Sequence, residues 1–206
     1  MTTIEKVLTA GNPDPAGPAV HENNTWLIGD DAEVVVIDPA HDAAAVEAAV
    51  RGRRVVAVLI THGHWDHIRQ AAAFAAPHGL VPRMNPADQF LWQDELGDAP
   101  VDALADGDRV SVAGVDLVAR HTPGHTPGST SIVADALGAV FTGDTLFPGG
   151  PGATRWDYSS FPAILESIAQ RLFTLPPSTV VHPGHGASTT IGAESPHLAE
   201  WAARGW

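Results

Sequence analysis

The chain has 206 residues, of which 44% are hydrophobic and 17% are charged, a composition typical of a compact globular protein. The 24 Asp and Glu residues outnumber the 11 Lys and Arg residues, and the formal net charge of −13 argues against binding to nucleic acid phosphates or to an anionic membrane surface. Cys is absent, which excludes disulfides, thiolate nucleophiles and metal sites with Cys ligands. Any bound metal must therefore be held by His, Asp and Glu.

Short apolar runs bounded by turn residues predict buried strands. In chain order these strands are Thr25–Ile28, Val34–Ile37, Val55–Ile60, Val115–Val118, Thr130–Val133, Ala139–Thr142 and Thr179–Val181. Helical patterns predict helices over Ala43–Arg51, Ile68–Ala76, Ala87–Leu96 and Ala163–Phe173. Strands that alternate with helices indicate an α/β or a layered α+β class. Since no internal repeat or low-complexity linker interrupts the chain, we predict a single domain over residues 1–206.

The N-terminal segment lacks the apolar stretch of a secretory signal, and no window reaches the roughly 18 apolar residues of a membrane span. We therefore expect a cytoplasmic protein that acts on a small-molecule substrate, with no membrane or nucleic acid partner. The oligomeric state is left open by the sequence.

Most of the histidines fall in three short segments, each of which follows a predicted strand. The segments THGHWDH, HTPGHTPGS and HPGHG supply His62, His64, Asp66 and His67, then His121 and His125, then His182 and His185. Asp38 and Asp144 each follow another predicted strand. Catalytic groups accumulate at strand ends in layered folds, so these segments are the candidate site. The remaining histidines are interpreted as ordinary core or surface residues: His21, His41, His78 and His197.

The H-x-H-x-D-H pattern predicts a compact loop, because its donors cannot share one face of a regular helix or strand. Imidazole and carboxylate donors without thiolates suit zinc, manganese or iron. One catalytic Zn²⁺ needs about three protein ligands, and the segments offer more than that. We therefore predict two divalent metal ions, most simply Zn²⁺, that share one carboxylate. The predicted ligands are His62, His64, Asp66, His67, His125, Asp144 and one of His182 and His185.

Two further residues are candidates for substrate binding. Arg155 and Tyr158, the latter the only tyrosine of the chain, follow Asp144 at short distance in the sequence. A guanidinium and a phenol are suited to hold a substrate carboxylate.

These motifs resemble those of the metallo-β-lactamase-fold hydrolases, and within them the short bacterial form of the glyoxalase II-like (hydroxyacylglutathione hydrolase-like) branch. The segments VVVIDPA, THGHWDH, HTPGHTPGS, FTGDTLFPGG and VVHPGHGASTTIGAE follow the order and the approximate spacing of that family. The resemblance implies an α+β fold, a four-layer αββα sandwich with the metals at one edge between the sheets.

The resemblance also implies a role for each residue of the site. The first metal would be bound by His62, His64 and His125, the second by Asp66, His67 and His185, and both by Asp144. In this pattern Asp38 would hold the His-rich loop, His182 would lie in its loop or support a ligand, and His121 would not be a ligand.

The implied reaction is hydrolysis of a thioester of the S-lactoylglutathione type. A hydroxide that bridges two metal ions is a nucleophile near neutral pH, and Asp66 would orient it or take its proton. A thioester suits such a site because a thiolate leaves without strong help from a general acid. The sequence leaves open which thiol carries the acyl group.

Two alternatives remain open. One is a sulfur dioxygenase of the same superfamily, acting on persulfides, in which a single iron would be held by His62, His125 and Asp144. The other is a metal-binding module with a structural or sensing role and no turnover. The number of donors exceeds what a closed tetrahedral site needs, which argues against the second alternative.

Overall fold

The strands lie mainly in two six-stranded sheets of the computed structural model, which describes residues 1–14, 17 and 20–205. Residues 15, 16, 18, 19 and 206 of the predicted domain lie outside the described residues. The strands are β1 Thr3–Gly11, β2 His21–Gly29, β3 Glu33–Ile37, β4 Arg54–Leu59, β5 Arg83–Met84, β6 Asp102–Ala103, β7 Arg109–Val112, β8 Val115–His121, β9 Thr130–Ala134, β10 Ala139–Gly143, β11 Leu146–Phe147, β12 Gly150–Pro151, β13 Val180–Pro183 and β14 Thr189–Thr190.

The first sheet has the order β1-β2-β3-β4-β5-β6, and the second has the order β14-β13-β10-β9-β8-β7. Strands β3, β4, β5 and β6 are parallel to one another, and β10 is parallel to β13. The remaining pairs in both sheets are antiparallel, and β11 and β12 form a separate short hairpin.

The helices lie between and after these strands. They are α1 Ala43–Val50, α2 Trp65–Ile68, α3 Ala71–Ala75, α4 Gln89–Leu96, α5 Phe161–Ser167, α6 Ile191–Glu194 and α7 Leu198–Arg204. A π-helical turn over Ile168–Leu172 continues α5, and 3₁₀ turns cover Ala76–His78, Pro86–Asp88, Asp135–Leu137 and Ser195–His197. Among the described residues, none of the helices has the length and apolar character needed to cross a lipid bilayer.

The period-two alternation of apolar side chains explains the layering. On β3, Val35 and Ile37 join the core between the two sheets, whereas Val34 and Val36 join the core beneath α1, α3 and α4. On β10, Val140 faces α5 and α7 in a third core. Each sheet therefore buries both of its faces, and the predicted four-layer αββα sandwich is confirmed.

The structure extends and corrects the predicted elements. The predicted strands are all present, and their ends agree within three residues except at β2, which begins four residues before the predicted Thr25. The edge strands β1 and β7 were not predicted, because only one residue of each is buried and neither forms a continuous apolar run. The two-residue strands were not predicted either, because they are too short to give a pattern: β5, β6, β11, β12 and β14. The single helix predicted over Ile68–Ala76 is wrong: the chain forms α2 and α3 instead, since the backbone N–H of Gln70 donates to Ala40 O at 3.1 Å rather than continuing the helix.

Candidate metal centre

The loop after β4 packs closely against α4 because it contains a glycine, Gly63. A Cβ at Gly63 would lie 2.8 Å from Leu91 Cβ and 3.0 Å from Asp88 Cβ, so only glycine fits between α4 and the loop. The loop turns directly into α2, which begins at Trp65 with His64 at its N-cap. This local geometry places Asp66 in the first turn of α2 and directs it to the same region as His64.

The first group of donors consists of three buried imidazoles from two loops. His64 Nδ1 lies 3.1 Å from His62 Nε2 and 2.9 Å from His125 Nε2. Burial and the neighbouring His125 lower the pKa of His64 to about 3, and burial likewise lowers the pKa values of His62 and His125. The three rings are therefore neutral near pH 7, and each offers a lone pair to the space between them.

The second group consists of Asp66, His67 and His185, brought together from α2 and from the segment after β13. His185 Nε2 lies 3.3 Å from Asp66 Oδ2, and His67 Nε2 lies 3.9 Å from the same oxygen. Burial opposes ionisation of Asp66, but the imidazoles outweigh it and lower the pKa of this carboxyl. An ionised carboxylate and two imidazoles form a donor set that a divalent cation accepts.

Asp144, which follows β10, stands between the two groups. Its carboxylate oxygens lie 3.4 Å from His67 Nε2, 3.4 Å from His185 Nε2 and 3.6 Å from His125 Nε2. Burial lowers the pKa of His185, but the nearby Asp144 carboxylate outweighs this and raises it to about 10. The carboxylates therefore stabilise positive charge at the centre of the cluster, and bound divalent cations would supply such charge.

Two buried atoms of the cluster support metal binding. Among the described residues, His67 Nε2 and Asp144 Oδ1 have no hydrogen-bond partner, although both are buried. Such atoms are costly unless another ligand satisfies them. A Cβ at Gly184 would lie 2.4 Å from His67 Cε1 and 2.5 Å from Asp144 Oδ1, so the glycine keeps this side of the cluster open. The donors therefore fit divalent metal ions, and their role as ligands stays a prediction.

Asp38 orients two of the donor histidines. Its Oδ2 accepts hydrogen bonds from Thr61 Oγ1 at 2.6 Å and from His67 Nδ1 at 2.9 Å, and its Oδ1 accepts one from Thr61 N at 2.8 Å. Thr61 Oγ1 in turn lies 3.1 Å from His62 Nδ1. The Nδ1 atoms of His62 and His67 are thus engaged away from the cluster, and their Nε2 atoms face it.

Backbone carbonyls orient two more of the five rings in the same way. His125 Nδ1 lies 2.7 Å from Ala153 O, and His185 Nδ1 lies 2.6 Å from Glu22 O. A ring nitrogen that donates to a carbonyl carries the proton, so the opposite nitrogen keeps its lone pair for a metal. His125 is therefore held in the tautomer that metal binding requires, and a cation that displaces the Nε2 proton of His185 would leave that ring in the same tautomer.

His182 takes a different position from the one expected for a residue that supports a ligand. Its ring packs against Trp26 and Phe141, with centroid distances of 4.4 and 5.1 Å, and its Nδ1 lies 2.9 Å from Ser188 Oγ. Within the described part of the chain it makes no hydrogen bond to the donor cluster. His182 therefore lies on β13 and not in a loop, with its ring against the core, and His185 is the histidine of HPGHG that reaches the cluster.

Three residues near the cluster were missed by the sequence analysis. Asn23 and His41 lie beside Asp66 and form a hydrogen bond to each other, and His21 contacts Trp65 at the wall of the cavity. The interpretation of His21 and His41 as residues unrelated to the site is therefore corrected. The other two histidines of that set do lie away from the cluster, paired with Glu47 and Glu200: His78 and His197.

Asp88 is a further residue that no motif marked. It is fully buried, and its carboxylate accepts hydrogen bonds from Gly63 N at 2.8 Å, Thr126 Oγ1 at 2.7 Å and Gly128 N at 2.6 Å. Burial raises the pKa of Asp88, while these donors act in the opposite direction. One carboxylate thus ties the loop that carries His62 and His64 to the loop that carries His125.

A cavity of about 670 Å³ opens onto the cluster. Its walls include aromatic side chains, those of Trp65, Phe147, Trp156 and Tyr158. Arg155 also lines it, with its guanidinium 4.9 Å from the centre of the Trp156 ring, and the Tyr158 hydroxyl lies 3.0 Å from His64 Nε2. Both predicted substrate-binding residues therefore lie on the cavity, and Tyr158 also touches a predicted ligand.

Comparison with known proteins places this arrangement among relatives. A protein from Mycobacterium bovis of uncharacterised function is 38% identical over 190 residues, covering 79% of this chain and 84% of the relative. Hydroxyacylglutathione hydrolase GloC from Haemophilus influenzae is 28% identical over 192 residues, covering 85% and 91%. A hydroxyacylglutathione hydrolase from Xanthomonas campestris is 33% identical over 183 residues, covering 88% and 68%.

Solved structures show the same fold. The BLEG-1 B3 metallo-β-lactamase has a TM-score of 0.79 at 25% identity and covers 95% of this chain and 98% of its own. The protein TTHA1623, solved in a di-iron-bound form, has a TM-score of 0.76 at 30% identity, covering 92% and 96%. ETHE1 from Myxococcus xanthus has a TM-score of 0.75 at 27% identity, covering 98% and 85%.

The family model of the metallo-β-lactamase superfamily matches residues 19–185. That range includes every histidine of the three His-rich segments together with Asp38 and Asp144. With the matching fold and the relatives described above, these findings support a metal-dependent hydrolase of the glyoxalase II-like branch. The chain belongs to the metallo-β-lactamase superfamily.

Proposed function

We propose that the protein is a binuclear metal hydrolase that cleaves a thioester of the S-lactoylglutathione type. The observation that carries this proposal is the convergence of two donor groups on one shared carboxylate, that of Asp144. The groups His62, His64 and His125, and Asp66, His67 and His185, each have donor atoms within 4.8 Å of one another. This arrangement has room for two cations, and we propose that both are Zn²⁺, although iron and manganese suit the same donors.

The relatives support the choice of substrate. GloC, named a hydroxyacylglutathione hydrolase, matches 85% of this chain and 91% of its own length, so the similarity extends over nearly the whole of both proteins. The cavity supports a small molecule, because about 670 Å³ lies in the range of pockets that enclose small-molecule ligands. We therefore propose a small-molecule partner, no nucleic acid or membrane partner, and a cytoplasmic location, where thiols are kept reduced.

The chemistry divides between the metals and the chain. Two divalent cations, when bound, would supply an acidified water as the nucleophile and would polarise the substrate carbonyl. The Asp66 carboxylate lines the cavity and would accept the proton of the attacking water at a carboxylate oxygen. Trp65 and Trp156 line the cavity, and their rings would reduce the access of bulk water to the reacting carbon of a bound substrate. The thiol departs as a thiolate, so no further general acid is needed.

The test combines metal analysis with two assays on protein purified without added metal. We expect about two metal ions per chain, mostly zinc, and hydrolysis of S-lactoylglutathione that is lost on chelation and restored by Zn²⁺. His64→Ala and Asp144→Ala should abolish hydrolysis. The matched control is His197→Ala, since His197 is exposed and pairs with Glu200 at the surface, and it should keep full activity.

Two results would contradict the proposal. One iron per chain, together with oxygen uptake on glutathione persulfide, would identify a dioxygenase. Tightly bound metal with no turnover of any thioester would identify a binding module.

A further inference from the structure

Asn23 on β2 reaches the cluster without being one of the predicted ligands. Its side chain is 1% exposed. The Asn23 Nδ2 group donates to Asp66 Oδ2 at 3.3 Å and lies 3.4 Å from His185 Nε2. Both contacts go to the second donor group, and none of the hydrogen bonds of Asn23 within the described residues goes to the first group.

His41 fixes the orientation of the Asn23 amide. His41 Nε2 lies 2.7 Å from Asn23 Oδ1, and an amide oxygen can only accept, so the imidazole donates. This contact holds the oxygen of the amide toward His41 and therefore turns the NH₂ group toward Asp66. A flipped amide would place its NH₂ against the donor of His41 and its oxygen against the carboxylate of Asp66.

The His41 ring is itself held in place. It packs against Trp65 with a centroid distance of 5.3 Å, and a Cβ at Gly11 would lie 2.4 Å from His41 Nδ1. His41 Nδ1 is buried without a hydrogen-bond partner. A buried lone pair is less costly than a buried N–H, so this environment favours the tautomer with its proton on Nε2, the atom that faces Asn23.

We propose that Asn23 and His41 are positioning residues that hold Asp66 and His185 ready for the second of two metal ions. A carboxylate that receives an N–H donor has fewer orientations to lose when a cation binds. Because the contacts reach only the second donor group, the effect should fall on one metal and not on the other. The inference rests on the binuclear centre proposed above.

The neighbouring Asn24 provides a matched control. It is fully buried on the same strand, and its Nδ2 donates to Pro183 O and to Gly186 O, each at 3.0 Å. It therefore supports the backbone of the segment that carries His185, and within the described residues none of its hydrogen bonds goes to a donor side chain. Asn24→Ala should therefore lower the unfolding free energy and weaken the second metal less than Asn23→Leu does. If Asn23 acted only by stabilising the fold, Asn24→Ala would reproduce its effects.

The experiment is a titration of metal-free protein with Zn²⁺ against a chromophoric chelator, with Co²⁺ spectra as a second readout. In Asn23→Leu, which keeps the volume but has no donor, the second metal should bind about 10- to 100-fold more weakly, with the first metal within about 3-fold of wild type. The Co²⁺ spectrum of the second site alone should change. His41→Phe should shift the second site in the same direction, and His41→Gln, which retains a donor, should restore part of the loss.

The outcomes separate the inference from the proposed function. If wild-type protein binds only one metal, the binuclear proposal fails. If wild-type protein binds two metals and Asn23→Leu and His41→Phe leave the second unchanged, or weaken both equally, the inference is overturned. It is also overturned if Asn24→Ala causes the same selective loss. Should Asn23→Leu fail to fold, His41→Phe decides the question, because its ring can still pack on Trp65.

Discussion

The Tyr158 hydroxyl lies 3.0 Å from His64 Nε2, on the side of the imidazole that faces away from the donor cluster. His64 Nδ1 faces the cluster, so Nε2 carries the proton and donates to Tyr158 Oη. Burial raises the pKa of Tyr158 to about 12, which keeps the phenol uncharged near pH 7. A residue predicted from the sequence to bind substrate therefore also holds a predicted ligand in its tautomer.

Removing this hydroxyl should weaken metal binding. In Tyr158→Phe we expect the affinity for the first metal to fall by about 10-fold or more, because His64 loses the partner that fixes its ring. The phenyl ring should stay parallel to Trp156, as in the wild-type stack with 5° between the planes, so the unfolding free energy of metal-free protein should change little. Competition with a chromophoric chelator measures the affinity. An increase in KM with unchanged metal affinity would instead mean that Tyr158 acts only on the substrate.

The Asp38 carboxylate should contribute to both stability and metal binding. Asp38 has a φ of 51°, a left-handed conformation that Asn tolerates as well as Asp, so Asp38→Asn changes the chemistry without straining the backbone. Its new NH₂ group would face a donor, either Thr61 or His67. We expect a loss of about 1–3 kcal/mol in the urea unfolding of metal-free protein, with weaker metal binding.

Asp42→Asn is the control for that measurement. Asp42 caps α1 by accepting from Ala45 N at 2.9 Å, and Asn caps a helix about as well as Asp. This variant should unfold within about 0.5 kcal/mol of wild type. Equal losses in the two variants would rule out a special role for Asp38.

The His-rich segments could be predicted because their donors are close together in the sequence. Residues 62–67 are contiguous in the sequence, although Asp66 and His67 lie on α2 rather than in the predicted loop. The strands before the other segments follow from short apolar runs. Asn23 and His41 form no motif. The two residues come into contact because β2, which carries Asn23, pairs with β3, which precedes His41. Asp88 lies 25 residues from its partner Gly63 and 40 from Gly128, and contacts of this range depend on how α4 packs.

Asp88 should be needed for folding whether or not metal is bound. Asp88→Ala leaves two buried backbone N–H groups, those of Gly63 and Gly128, without their acceptor, at about 1–3 kcal/mol each. We expect a loss of about 3 kcal/mol or more in urea unfolding, measured in the presence and in the absence of a chelator. Asp94→Ala, an exposed substitution on the same helix, should change stability by less than about 0.5 kcal/mol. A loss seen only with metal present would show that Asp88 acts through the metals.

Gly184→Ala should have the opposite signature, a loss of metal with little loss of stability. Gly184 lies outside the left-handed region, so an alanine suits its backbone, but the added Cβ would lie 2.4 Å from His67 Cε1 and 2.5 Å from Asp144 Oδ1. Contacts this short force the two donors apart, and we expect metal content to fall from about two ions to about one per chain.

The matched control is Gly79→Ala. A Cβ at Gly79 meets open space, but its φ of 70° is unfavourable for alanine, which costs about 1 kcal/mol without touching the cluster. Elemental analysis and thermal unfolding of chelated protein should therefore separate the variants, with Gly184→Ala changing metal content and Gly79→Ala changing only stability. If both variants kept two metals, the cluster would be more adaptable around Gly184 than these distances allow.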